Sequence, residues 1–118
     1  MDSRSRKKLE NAVKRGVDFL DKTRPSWFTK ISTKRLDIAD CEVCILGQLY
    51  GTDDEDGYER GLAILNGKVR KNPEKFGFNA DFDSSLSSDD QYAFIQEVWE
   101  REIAARRKAR RQKRAVSA

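Results

Sequence analysis

The stretch "SSDDQYAFIQEVWEREI", residues 87–103, constrains the fold more than any other part of this chain. Tyr92, Ile95, Val98, Trp99 and Ile103 recur at helical spacing and form one apolar stripe. Ser88 followed by Gln91 reads as a capping box, and Asp89 and Asp90 place negative charge in the positive first turn. A second stripe runs through "SRSRKKLENAVKRGVDFLDKTR", with Leu9, Val13, Val17 and Leu20 widened by Ala12, Gly16 and Phe19. Pro25 closes that helix, because the residue before a proline is pushed out of helical space. No segment alternates cleanly between apolar and polar residues, so no substantial sheet is expected. The pattern predicts an all-α bundle of four to five helices, with long N- and C-terminal helices packed together and irregular loops between.

Between the stripes the signals are shorter. "SWFTKISTKRLDIAD" has no sustained period, and Trp27, Phe28, Ile31, Leu36 and Ile38 are expected to anchor a helical turn and a loop. Asp40 sits where an N-cap belongs, ahead of "CEVCILGQLY" as a helix of about three turns. Gly51 stands where a helix end favours positive φ. "TDDEDG" reads as an acidic linker and "YERGLAILNG" as a short helix, with Gly67 just past its end. "KVRKNPEKFGFNADFDSSL" reads as a long loop pinned by Phe76, Phe78 and Phe82. The expected core comprises Leu9, Val13, Val17, Leu20, Cys44, Ile45, Leu49, Leu62, Leu65, Ile95, Val98, Trp99 and Ile103.

At 118 residues the chain fits one domain, with a small core and a shell in which 37% of residues are charged. No apolar run is long enough to span a membrane, and the charged N-terminus lacks the apolar stretch of a secretory signal. A reducing cytoplasmic compartment follows as the expectation, with both cysteines as thiols. "CEVC" lacks the partners for a structural zinc, since the chain has two cysteines and no histidine. A four-thiolate site shared by two chains, or a redox pair, are the sharper alternatives to two core thiols, which is the reading adopted. "TDDEDG" fails the calcium-loop template at its first position, Thr52, and at its bidentate position, Ala63. Without histidine the commonest general base is missing, and no glycine-rich phosphate loop occurs. The chain is therefore expected not to be an enzyme, and to need no metal or cofactor.

The net charge of +4 conceals a segregation along the chain. Residues 1–35 hold eleven Lys/Arg against four Asp/Glu, and 36–60 hold one against eight. Residues 61–80 hold four against one, 81–100 none against six, and 101–118 eight against Glu102 alone. The last group is the main functional signal: Arg101, Arg106, Arg107, Lys108, Arg110, Arg111, Lys113 and Arg114. Such density attracts a polyanion, and arginine-rich helices can enter nucleic-acid grooves or fold on RNA. A solubilising terminus without ligand, or attachment to an acidic protein or membrane surface, are the other readings of the same charges. The apolar stripe continues in register into Arg106, Arg110 and Arg114, so the helix is expected to leave the body after Ile103. Residues 1–105 then form the helical domain, and 106–118 a basic extension, helical or disordered, whose removal spares the fold.

The order of "CEVCILGQLYG", "YERGLAIL", "FGFNADFD" and "YAFIQEVW" resembles a family of small proteins of actinobacterial phages (mycobacteriophage-like) and their hosts, over roughly residues 9–105. The resemblance implies an accessory protein in the cytoplasm of an infected bacterium, and a structural part for Cys41, Cys44, Gly47, Gln48, Tyr50, Gly77 and Phe78. It supplies no activity. The functional expectation is a small non-enzymatic accessory protein that binds DNA or RNA through backbone contacts of its arginine-rich helix, assisted by Arg4, Arg6, Lys7 and Lys8. The alternative is a regulator or inhibitor of a host bacterial protein, acting through acidic residues around Asp53 to Asp56 or Asp81 to Asp90. Neither requires a membrane.

Overall fold

The computed structural model describes residues 1–51, 60–62, 67–80 and 85–117. Every regular element among them is helical: α1 (Ser3–Thr23), α2 (Ile45–Tyr50), α3 (Gly67–Lys71) and α4 (Ser88–Ser117). Short 3₁₀ turns occupy Trp27–Lys30 and Pro73–Phe76, and residues 60–62 are also helical. No strand occurs among the described residues. The expected all-α architecture, with its long first and last helices, is the observed one.

Each long helix buries the stripe its spacing predicts. Leu9, Ala12, Val13, Val17 and Leu20 of α1 meet Ile95, Val98, Trp99 and Ile103 of α4 in one core, which Cys44, Ile45 and Leu49 of the middle segment join. Leu62, Phe19 and Tyr92 are only partly buried against it. Leu65, Phe82 and the "TDDEDG" segment lie outside the described residues. Trp27, Ile31, Leu36, Ile38, Leu46, Val69, Phe78 and Ala80 complete the core among the described residues. The two long helices run in the same sense. Arg6 neighbours Asp90 and Glu97, Glu10 meets Arg101, and Asp21 meets Arg106.

A chain crossing locks the centre. The segment after Pro73–Phe76 passes directly over α1, so close that a Cβ on Gly16 would sit 2.0 Å from the Phe76 carbonyl oxygen. Gly77 has φ 72, and a Cβ there would lie 2.7 Å from the Val13 Cα. Both positions need glycine, the second for conformation as well as space. The buried Trp99 Nε1 donates to the Gly77 carbonyl at 2.8 Å, and Phe78 stacks on the Trp99 ring with centroids 5.7 Å apart. Trp27 meets the same indole edge to face at 5.7 Å.

Two glutamines organise the irregular stretch between the Trp27–Lys30 turn and α2. Gln48 accepts from Ser32 N at 2.6 Å and donates to the Ser32 and Val43 carbonyls at 3.2 and 2.9 Å. Gln96 accepts from Ile38 N at 2.9 Å and donates to Leu36 O at 2.7 Å. Each amide completes backbone groups that a strand neighbour would otherwise satisfy, so this segment orders without a sheet.

Several local expectations are corrected. The helix after Asp40 begins only at Ile45, because the Val43 carbonyl is taken by Gln48 Nε2 and Asp37 N, while Gly47 N turns to Cys44 Sγ at 3.3 Å. Cys44 is therefore the N-cap, and Asp40 instead closes a turn by accepting from Glu42 N at 2.9 Å. Gly51 has φ −69, an ordinary value. Gly67 opens α3, and Pro73–Phe76 forms a 3₁₀ turn where a continuous loop was expected. On α4 the cap is Ser87, whose Oγ accepts from Asp90 N at 3.1 Å; Gln91 is buried and donates to Leu86 O.

Candidate nucleic-acid interface

The basic helix is a continuous part of α4, which at 30 residues is about 45 Å long and accounts for much of the 50 Å long axis of the molecule. It does not leave the body at Ile103. Arg106 and Arg107, one helical turn further on, are both half-buried.

Arg106 forms a fork with Asp21 of α1, Nε to Oδ1 at 3.1 Å and Nη2 to Oδ2 at 2.8 Å, and its Nη1 meets Glu102 Oε2 at 2.8 Å. Asp21 also accepts from the indole of buried Trp27 at 2.9 Å. Burial by itself raises the Asp21 carboxyl, but the hydrogen bonds from Arg106 and Trp27, with the Arg106 charge, outweigh it and hold the group below its ordinary value. Hydrogen bonding to Asp21 raises Arg106 against the opposing effect of burial. Arg107 Nη2 donates to the Phe28 carbonyl at 3.0 Å and to the Ile31 carbonyl, tying α4 to the Trp27–Lys30 turn. A guanidinium suits this position because its planar fork reaches several acceptors while its stem covers apolar surface.

The eight basic residues therefore divide by position. Arg101 pairs with Glu10 at 3.2 Å on an exposed surface. Arg106 and Arg107 fasten α4 to the body. Lys108, Arg111, Lys113 and Arg114 are exposed and Arg110 is half-buried. These five occupy the two turns beyond the fastening residues.

Two adjoining open concavities lie along this stretch, between α4 and the Trp27–Lys30 turn. One, of about 650 Å³, is bounded by Ser26, Phe28 and Arg110 together with Lys113 and Arg114. The other, of about 290 Å³, shares Phe28, Arg110 and Arg114 and adds Thr29 and Arg111. Among the described residues, no acidic side chain lines either one. The Asp21 and Glu102 carboxylates nearby are engaged by Arg106. Phe28 was read from sequence as an anchoring residue only, and its place with Ser26 and Thr29 beside the arginines follows from the Arg107 contacts, which periodicity does not encode.

Arg4, Arg6, Lys7 and Lys8 are exposed but lie at the other end of the molecule. Arg6 shares a concavity with Asp90, Phe94 and Glu97. Arg110 lies sixteen residues beyond Phe94, about 24 Å along the helix. The two basic groups are not one patch.

The two cysteines of the chain separate. Cys44 is buried and caps α2, whereas Cys41 is exposed, so the reading of two core thiols holds for one of them. Neither forms a disulfide. Among the described residues, no group of three or more acidic or cysteine side chains comes together as a metal site. No helix among them is long and apolar enough to cross a membrane. Comparison with family models, curated proteins and solved structures returned no match to any of them.

Proposed function

We propose that this protein is a small non-enzymatic accessory protein that binds nucleic acid through the last turns of α4. The observation that carries this reading is the division of labour among the arginines. Arg106 and Arg107 hold the helix on the body, so the cationic groups beyond them are presented on a rigid support, beside concavities that no acidic side chain among the described residues lines. Pre-organised charge loses less entropy on binding than a frayed tail would. Contacts from such groups go mainly to phosphates, which position a ligand without reading its sequence. A place among phage-encoded proteins of an infected bacterium rests on the sequence resemblance alone.

The test compares the full chain with one ending at Lys108, which removes Arg110, Arg111, Lys113 and Arg114 but retains both fastening arginines. With mixed DNA and RNA at about 50 mM salt, where electrostatic attraction is strong, the full chain is expected to bind and the shortened one to lose most of its affinity. Binding to a host protein through the acidic middle predicts the reverse. Shortening then leaves partner capture intact, and charge reversal at Asp89 and Asp90 abolishes it. No detectable binding by the full chain overturns the proposal.

A further inference from the structure

The aromatic ring between the two concavities narrows the ligand class. Phe28 is partly buried, packed on the core at one side and open to both concavities at the other. Its backbone is held from several directions. The adjacent Trp27 is fully buried, Thr29 N donates to Ser26 O at 3.0 Å, and Arg107 donates to the Phe28 carbonyl. The ring stands at 87° to the Trp27 indole, with centroids 5.9 Å apart. Arg110 and Arg114, one helical turn apart on α4, border both concavities together with it.

We infer that Phe28 is a base-stacking platform and that the ligand of this face is a single-stranded nucleic acid, its phosphates held by Arg110, Arg111 and Arg114. The inference rests on the nucleic-acid reading of the same helix and adds to it the strandedness of the ligand. A positive groove is useful to any polyanion. An aromatic ring at its wall adds binding only where a base face is available, and in a duplex both faces of each base are covered by its neighbours. The guanidinium groups alongside can follow the backbone or stack in their turn. The ring is pre-positioned by the turn beneath it, so little side-chain freedom is lost when a base arrives. RNA and DNA single strands share this chemistry, and the test separates them.

The experiment measures affinity of the full chain for oligo(U), oligo(dT), an abasic phosphodiester strand and a DNA duplex, each about twelve nucleotides long, a length suited to one groove. The chain is expected to prefer both base-bearing strands to the abasic one of equal charge. A 2′-hydroxyl contact is read from the ratio of oligo(U) to oligo(dT) affinity. Phe28→Leu keeps apolar cover over Trp27 and removes the aromatic face. It is expected to weaken single-strand binding about five- to a hundredfold, as loss of one stacked base does, with duplex and abasic binding unchanged. Phe28→Tyr should restore it. Equal affinity of the wild-type chain for oligo(dT) and the abasic strand overturns the stacking role whether or not any variant folds, as does a Phe28→Leu protein that binds oligo(dT) as tightly as wild type. In those cases a strong loss with Arg110→Glu would preserve the broader nucleic-acid reading. Absence of binding to all four ligands removes both.

Discussion

Gln48 shows how much of this molecule depends on single polar side chains. Its amide serves one N–H and two carbonyls of the segment that precedes α2, all partly buried. Replacing it with alanine takes the partner from Ser32 N and leaves the Ser32 and Val43 carbonyls only their other bonds, from Arg35 N at 3.2 Å and Asp37 N at 3.4 Å. Leaving a buried polar group unsatisfied costs about 1–3 kcal/mol, and water can reach part of this site. Gln48→Ala is therefore expected to lower the unfolding free energy by about 1–3 kcal/mol in urea titrations, a sizeable share of the stability of a small domain. The cysteines provide a second residue-scale test. Cys44 is buried and caps α2 through its sulfur, and Cys41 is exposed. A thiol reagent should label Cys41 rapidly in the native protein and Cys44 only on unfolding. Cys44→Ala should cost about 1–2 kcal/mol through the lost cap and packing, and Cys41→Ala much less. Comparable labelling of both thiols in the folded protein would contradict this assignment.

At the scale of elements, the Arg106 cluster joins α1, α4 and the Trp27–Lys30 turn. The folded-state value of Asp21 is depressed, so its contribution to stability is complete above the ordinary aspartate value of about 3.9 and is lost as pH falls through the lower folded value. Asp21→Asn should destabilise the protein at neutral pH by about 1 kcal/mol or less, because the carboxylate is partly exposed and screened by solvent. The difference between wild type and variant should begin to shrink near the ordinary aspartate value and vanish only below the depressed folded value. Stability measured from neutral pH down to about pH 2 reads both effects, and a difference that persists in acid would assign the loss to packing.

The same cluster marks where sequence reading stopped. Leu9, Val13, Val17 and Leu20 declare α1, and Ile95, Val98, Trp99 and Ile103 declare α4, because helical spacing is a local property. The start of α2 was not legible, since it depends on Gln48 drawing away the Val43 carbonyl. Nor was the docking of Arg106 and Arg107 on the body. An arginine continuing an apolar stripe looks like a helix entering solvent until Asp21 and the carbonyls of Phe28 and Ile31 are brought opposite it. The basic character of the site was visible in composition. Its wall, with Phe28 beside Arg110, required a tertiary contact.

The whole molecule is a helical body whose last helix projects charge from one end. Its radius of gyration of 14.4 Å is slightly above the roughly 13–14 Å expected for a compact domain of this length, as a projecting helix end requires. Acidic surface and the basic group at the start of α1 lie toward the other end, with Asp90 and Glu97 beside Arg6. One polarised end suits capture of a polyanion by long-range attraction. The account depends most on the cationic turns beyond Arg107 contacting phosphates, and the salt dependence of binding measures this directly. For a single-stranded oligonucleotide, the full chain should show a slope of log affinity against log salt of about −2 to −3.5, corresponding to three to five neutralised phosphates. The chain ending at Lys108 should bind weakly, with a slope near −1 or shallower, while its thermal unfolding stays cooperative. A slope near zero in the full chain, or one that the shortened chain retains in full, would contradict the account.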